Sequence, residues 1–475
     1  RTCADECGRC SDKVDNQGLV GLLSLLGLCL QGKPIEDIVT GTIKTIVGFL
    51  VLEAGSAFLQ SGSLLAFGEV FNYAFNMQGV VPNNEAVVSM ALENFGSNTA
   101  LIMCLGMILN IVLARFSRMH YIFLTGHHTL YMACMLAVVL SIGGLEGPML
   151  IIAGGILAFI MVTSPAYCQP TFRKVTGSNS VALGHFGGLG YALAGLVGRI
   201  FKGSKSTEDI NFPKRLIFLR DTTVSISITM MVLFVIVTGI AVGRGILGAD
   251  PTQFQYLNTL LNVGTETKTN WVVWALTSGM SFAGGVYIIL SGVRLIVGEI
   301  VPAFKGIAEK LVPGAIPAID CPVAFPYAPN AVIIGFLTSF VAGIVGLVIL
   351  AAINANWFPV ALILPGVVPH FFCGATAGIF GNAEGGIKGC VAGAFFHGLL
   401  ITALPALCMP VFTGLGFVSA TFSDADFSWV GMLFGNLAQM TPGMPLFIIA
   451  VLFFVAPIIY NYVAPKPKKA EESAE

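Results

Sequence analysis

Asp320 stands in Ile319-Asp320-Cys321, inside an otherwise apolar stretch broken by Pro313, Pro317, Pro322, Pro326 and Pro329. Proline removes backbone donors and interrupts helices. A carboxylate among such breaks has three uses: to accept hydrogen bonds from sugar-like hydroxyls, to serve a proton- or charge-linked gate, or to cap free backbone N–H groups. Glu53, in the apolar run leading to Gly55-Ser56, either lines a cavity or pairs with a basic residue such as Arg294. His127 and His128 follow Thr125-Gly126, and His185 follows Gly184. Glycine lets the backbone bend there and turn an imidazole into a cavity, although a membrane-buried histidine also serves as an interhelical hydrogen-bonding group. No metal-ligand spacing joins these histidines to each other or to His120, His370 and His397. The N-terminal Cys3, Cys7 and Cys10 have the spacing of an iron–sulfur motif, but only a short polar stretch separates them from the first apolar run. With no initiating Met, the reading favoured is the stump of a truncated or misjoined frame rather than a cluster site.

The elements that must hold these residues follow from composition. The chain has 475 residues, 55% hydrophobic and 10% charged, with a mean hydropathy of +0.85. Soluble domains carry about 25% charge, so an ordinary soluble enzyme is excluded and the class is an all-α polytopic membrane protein. The 24 basic and 25 acidic residues nearly cancel, which removes the electrostatic case for nucleic-acid binding. Cys29, Cys104, Cys134, Cys168, Cys321, Cys373, Cys390 and Cys408 are scattered singly through apolar segments and read as buried free thiols.

Crossing the bilayer takes about 20 apolar residues in a helix. Thr99–Phe116, Gly147–Tyr167, Thr223–Leu247, Trp271–Val297, Ala331–Ile353, Val360–Cys373, Cys390–Phe412 and Pro442–Val463 meet or approach this. Leu19–Leu30, Ile46–Leu59, Thr129–Ile142 and Val181–Ile200 are shorter or interrupted, and the total is about ten or eleven. The basic Arg199–Arg220 segment is placed inside by its positive charge, together with Arg173/Lys174, Lys305/Lys310 and the Lys466, Lys468, Lys469 tail. The Asp424/Asp426 segment then falls in an outer loop, and Trp271, Trp274, Trp357 and Trp429 form an outer aromatic belt. With basic residues inside on both flanks, Val181–Leu196 has no room to cross and is expected to be re-entrant, as is Pro313–Asn330. These two segments are the first candidates for a substrate site. Gly41-Thr-Ile-Lys44-Thr-Ile-Val-Gly48 and Gly292-Val-Arg294-Leu-Ile-Val-Gly298 share a pattern half a chain apart, which hints at two related halves. Neither a Walker A motif nor a dinucleotide fingerprint is present, so energy must come from an ion gradient or a partner protein.

Gly41–Phe49, Glu53-Ala-Gly-Ser56, Leu124-Thr-Gly-His127, Gly292–Glu299, Leu311-Val-Pro-Gly-Ala315, Ile319-Asp-Cys321, Ala328-Pro-Asn-Ala-Val332 and Ala375-Thr-Ala-Gly-Ile-Phe380 occur in series. Together they resemble the ascorbate-type membrane permease (EIIC component) of the bacterial phosphotransferase system. The resemblance runs from about Leu19 to Val463, leaving residues 1–18 unassigned and 464–475 as a cytoplasmic tail. It implies a homodimer in the bacterial inner membrane, each protomer with about eleven transmembrane helices, two re-entrant segments, two related halves, and a core domain beside a dimerisation domain. L-ascorbate, or a related small sugar acid or polyol, would cross by an elevator-like motion of the core. Cytoplasmic EIIB, carrying a phosphocysteine charged through EIIA, would phosphorylate it. On this resemblance the chain is a transporter subunit, not an enzyme, and needs no cofactor or metal.

Carried over by motif, the implied ligand contacts are Gly55, Ser56, His127, His185 and Asp320. Tyr131 and Phe186 stand where the ascorbate permeases have glutamines, Asn84 and Glu85 align with a Thr-Tyr pair, and Glu53 replaces a glutamine. These departures exchange amide donors for aromatic rings and add Asn84, Glu85, Tyr131 and Phe186 to the expected pocket. The alternatives are an ion-coupled secondary transporter that works without EIIB, and a receptor that senses ligand without transport.

Overall fold

The computed structural model describes residues 25, 28, 29, 32–59, 63, 65–76, 79–210, 222–260, 270–413 and 420–463. Cys3, Cys7, Cys10, the Lys214–Arg220 part of the basic segment, the 464–475 tail and the side chains of Glu53, Ser56, Lys305 and Lys310 lie outside them. In chain order the elements are α1 (Ile35–Leu59), α2 (Leu65–Phe75), β1 (Gly79–Pro82), α3 (Asn84–Phe116), β2 (Tyr121–Phe123), α4 (Gly126–Ile142), α5 (Gly147–Ala153), α6 (Gly155–Thr176) and β3 (Ala182–Leu183). There follow α7 (Gly188–Gly198), α8 (Thr222–Ile246), α9 (Pro251–Leu260), α10 (Trp271–Leu311), β4 (Ile316–Ile319), α11 (Pro329–Asn356), β5 (Leu362–Ile363), α12 (Ala375–Thr413), β6 (Ala420–Thr421), α13 (Ala425–Met440) and α14 (Met444–Val463).

Among the described residues, seven helices are long and apolar enough to cross a membrane. Local chemistry sets their ends. Asn83 caps α3 by accepting from the Ala86 N–H at 2.7 Å. α6 stops at Gly177, whose φ of +68° is the left-handed geometry of a helix C-terminus, with Arg173 and Lys174 in its last turn. Pro329 opens α11, where a missing N–H costs nothing. α4 is buried nearly all round, as a helix apolar on every face must be. In contrast, α8, α11 and α14 expose Ile236, Ile240, Ile344, Val348, Ile448 and Leu452 in the manner of lipid-facing surfaces. α1 packs along α10, so the two similar glycine-bounded motifs lie on adjacent helices.

What positions the site is a pair of miniature parallel sheets. One has the order β2-β4-β3 and the other β5-β1-β6. Each central strand comes from one half of the sequence and both flanking strands come from the other. Exchanging β1 with β4, β2 with β5 and β3 with β6 converts one sheet into the other. The register brings Phe123 beside Ala318 and Leu183 beside Ile319, and in the second sheet Gly79 beside Leu362 and Val81 beside Ala420.

The two segments expected to be re-entrant are built from short pieces. Val181–Leu196 holds β3 and the start of the 11-residue α7, and Pro313–Asn330 holds β4 and a 3₁₀ turn over Cys321–Tyr327. Neither contains a helix of crossing length. Val360–Cys373, expected as one span, is divided: β5 and the Pro365-Gly366 break come first, and from Val367 a three-residue turn of helix and a π-turn over His370–Gly374 run on into α12. Asp424 and Asp426 are not in an exposed loop. They are 3% and 0% exposed, because the chain after β6 turns inward before α13. Trp429 joins them, donating from Nε1 to Asp426 Oδ1 at 3.1 Å. Six of the expected buried thiols are buried, whereas Cys29 is exposed and Cys104 half-buried.

Candidate functional site

The C-terminal ends of the strands in both sheets open onto one cavity of about 290 Å³. β2 leads to His127 and His128, β3 to His185, and β4 to Asp320. From the other sheet, β1 leads to Asn84 and Glu85, β5 to Val368 and Pro369, and β6 to Ser423 and Asp424. All of these line the cavity, with Tyr131, Arg294, Pro322, Phe372 and Cys373. Strands of two to four residues suffice because each needs only to carry its successor out of a helix and into the cavity with its backbone groups paired.

Asp320 and His127 form the more open side, with side chains 33% and 28% exposed. His127 Nε2 lies 3.5 Å from Asp320 Oδ2, and His185 Nε2 lies 3.8 Å from Asp320 Oδ1. The same carboxylate accepts from the Cys321 N–H at 2.7 Å and so caps the 3₁₀ turn. The capping reading and the ligand reading of Asp320 are therefore compatible.

His185 is held from behind. The Gly187 N–H donates to its Nδ1 at 3.1 Å, and the Tyr191 hydroxyl is 2.8 Å from the same nitrogen. With Nδ1 accepting, the proton of the neutral ring sits on Nε2 and faces Asp320. His128 packs against His185 with ring centroids 3.8 Å apart, and its Nδ1 lies 3.9 Å from Asp424 Oδ2. Asp424 is fixed by uncharged donors: Asn84 Nδ2 at 2.8 Å, Ser423 Oγ at 3.0 Å and Cys373 Sγ at 3.0 Å. Beneath this layer Asp426 accepts from Ser164 Oγ at 2.9 Å, the Tyr167 hydroxyl at 2.7 Å and the Leu189 N–H at 3.0 Å, joining α13 to α6 and α7. Two buried polar atoms of the lining have no partner among the described residues: Glu85 Oε2 and the Tyr131 hydroxyl.

Of the residues expected from sequence, Asn84, Glu85, His127, Tyr131, His185 and Asp320 thus meet around one space. Phe186 is placed behind it, fully buried and stacked on Phe123 at 4.6 Å, where its N–H donates to His128 Nδ1 at 3.4 Å. Gly55 is buried within α1, outside the described lining, and the Ser56 side chain lies outside the described residues. His120 and His370 hold structural contacts, to the Ala114 carbonyl at 2.9 Å and to Ser339 Oγ at 2.8 Å. Sequence reasoning missed Asp424, Ser423, Cys373 and Arg294, and gave His128 less weight than its position warrants. The Pro365-Gly366 and Pro369 breaks were the available signal for the first three.

The histidines lack metal-ligand spacing in sequence, yet in space one donor atom each of His127, His128 and Asp320 lie within 4.8 Å of one another. The sets His128, His185, Asp424 and His185, Asp320, Cys321 meet the same limit. Tetrahedral zinc would draw such atoms to roughly 3.4 Å apart. In the two sets that use His185, its Nδ1 acceptor role leaves Nε2 protonated rather than free to ligate. The arrangement suits instead a compact polar ligand held by alternating donors and acceptors, in a space near the lower end of the ~300–1,000 Å³ of small-molecule pockets.

Comparison with known proteins agrees. Residues 14–426 match the family EIIC-GAT, described as "PTS system sugar-specific permease component". The chain is also similar to an ascorbate-specific PTS system EIIC component of Mycoplasma pneumoniae, with 27% identity over 407 residues, covering 78% of this chain and 61% of that protein. The chain thus spans less than two thirds of that relative's length. With seven apolar helices of crossing length among the described residues, it is a multi-pass membrane protein, and it belongs to the EIIC-GAT family of phosphotransferase-system sugar permease components.

Proposed function

We propose that the protein is the EIIC permease of a phosphotransferase system, taking L-ascorbate or a related small sugar acid or polyol across the bacterial inner membrane. Residues 19–463 form the permease domain, and residues 464–475 a cytoplasmic tail. The observation that carries this reading is the meeting of His127, His185 and Asp320, from three strand ends, in a cavity of sugar size. Membership of a family of sugar permeases supports reading this cradle as the solute site. The protein works as a homodimer with a core and a dimerisation domain, and the core carries the site across by an elevator-type motion. Cytoplasmic EIIB, recharged by EIIA, phosphorylates the emerging solute and traps it. The chain itself is a transporter subunit without cofactor or catalytic residue. Gly55, Ser56 and Phe186 complete the expected contact set, Phe186 acting through the backbone N–H that steadies His128.

The test is uptake of labelled solute by cells expressing the chain, with and without enzyme I. Accumulation as the phosphate ester that stops on deletion of enzyme I is the expected result. Gradient-driven uptake that persists without enzyme I would favour the ion-coupled alternative.

A further inference from the structure

We propose that a groove along one flank of α12 binds an anionic phospholipid, with the lipid phosphate at Lys388 and Lys202 and an acyl chain lying along the helix. The groove, of about 610 Å³, shares no lining residue with the strand-end cavity, so the inference stands apart from the solute reading. On α12 it is lined by Lys388, Val391, Phe395, Phe396 and Leu399, faced by Phe201. Residues recurring every three or four positions share one face of a helix. Lys388 is the one charged group among the described lining residues. From Lys388 to Leu399 the helix rises roughly 16 Å, about one leaflet of the ~30 Å hydrocarbon core. That stretch lies within Val367–Phe412, which is long and apolar enough to cross a membrane. A soluble partner approaching from the water reaches the mouth of such a groove but not its far end, whereas an acyl chain fits its length.

The mouth gathers positive charge. Glu384, just before the break of α12 at Gly385 and Gly386, binds Lys174 Nζ from the last turn of α6 at 2.7 Å and Arg199 Nε, next after α7, at 3.1 Å. Beyond the break the Ile387 N–H donates to the Lys205 carbonyl at 2.7 Å and the Lys388 N–H to Ser204 Oγ at 3.4 Å. The ends of α6 and α7 and the basic turn after α7 therefore meet beside Lys388. Glu384 serves Lys174 and Arg199, but Lys202, Lys205 and Lys388 are exposed and form no ion pair among the described residues. The nearby carboxylates are engaged elsewhere: Glu208 accepts from the Asn330 and Ala331 N–H groups at the start of α11, and Asp209 from the Ser206 N–H. Uncompensated cations above an apolar trough complement a lipid with a negative headgroup and offer a zwitterionic one much less.

The experiment equilibrates the purified full-length protein in detergent micelles with equal amounts of phosphatidylglycerol and phosphatidylcholine of the same acyl chains, recovers the protein, and counts its bound lipid by mass spectrometry. Wild type is expected to hold phosphatidylglycerol on the order of tenfold in preference, and inorganic phosphate at matched ionic strength should not displace it. Lys202→Gln combined with Lys388→Gln should bring the ratio close to one. Ala392→Phe, which puts a ring into the trough, should lower recovery of phosphatidylglycerol several-fold. Equal recovery of the two lipids by wild type means surrounding lipid only and overturns the proposal. So does a ratio unchanged in the lysine variant, displacement by inorganic phosphate, or full recovery in a folded Ala392→Phe. Recovery of neither lipid also overturns it and leaves the groove to a second copy or a soluble partner. Should Ala392→Phe not fold, the lysine variant decides, since it alters exposed side chains alone.

Discussion

His127 Nε2 and Asp320 Oδ2 stand 3.5 Å apart although they come from opposite halves of the chain. The contact exists because β2 and β4 run parallel, with Phe123 beside Ala318, so both strands release the chain at the same end. At that distance a ligand hydroxyl can bridge imidazole and carboxylate from the cavity side, within hydrogen-bonding reach of both, and Asp320 supplies the acceptor.

Asp320→Asn is expected to abolish uptake while leaving the protein folded. Its Oδ1 can still accept from the Cys321 N–H, so the 3₁₀ turn keeps its cap. What is lost is the charge and one acceptor toward the cavity. Labelled-solute uptake alongside a thermal unfolding curve checks this, and wild-type uptake would remove Asp320 from the mechanism.

Tyr191 acts through His185. It is fully buried, with its hydroxyl 2.8 Å from His185 Nδ1. Tyr191→Phe leaves the Gly187 N–H as the remaining donor, so the tautomer survives but the ring is held less firmly. Ligand affinity should fall several-fold, in keeping with the ~1 kcal/mol worth of such a hydrogen bond. Titration of the purified variant measures it; unchanged affinity would make the contact purely structural.

The part of the site legible in sequence was the part whose polar residues sit beside a glycine or proline in an apolar run. His127 after Gly126, His185 after Gly184 and Asp320 among its prolines are of this kind. The second sheet escaped because β5 and β6 are two residues long, too short for any periodicity, and their partner β1 is far away in the chain. Without that pairing, Val360–Cys373 reads as a span and Asp424 as a loop residue. Sequence does not tell that the start of α4 turns both adjacent histidines, His127 and His128, into the cavity. The long helices were visible from hydropathy alone, and Phe116 and Trp271 bound the same helices in sequence and structure.

Asp426 should matter for stability rather than for ligand contact. Its carboxylate gathers Ser164, Tyr167, Trp429 and the Leu189 N–H in a fully buried setting. Asp426→Ala strands these donors, each at a cost of about 1–3 kcal/mol, and is expected to lower the yield of monodisperse protein and its thermal midpoint. Asp426→Asn, which keeps one acceptor oxygen, should fall between Ala and wild type. An alanine variant as stable as wild type would show that water replaces the carboxylate.

Gly184 ties packing to the site most directly. Its N–H donates to the Ile319 carbonyl at 2.7 Å, and the Thr125 hydroxyl donates to its own carbonyl. A Cβ at this position would lie 2.5 Å from the Ala318 carbonyl oxygen and 2.6 Å from its carbon. Backbone cannot yield as a flexible side chain does, so Gly184→Ala must push β3 away from β4. His185 follows β3 and Asp320 follows β4, so the 3.8 Å approach of His185 Nε2 to Asp320 Oδ1 widens with them. The expected outcome is a protein that still inserts and folds its long helices but has lost at least about tenfold in ligand affinity, a site defect from a residue that touches no ligand. Gly177→Ala is the control, since its Cβ would meet open space and its left-handed φ of +68° confines the strain to the end of α6. That variant should show a modest loss of stability with ligand affinity intact. Equal affinity losses in the two variants would mean that the effect is general destabilisation and not displacement of His185.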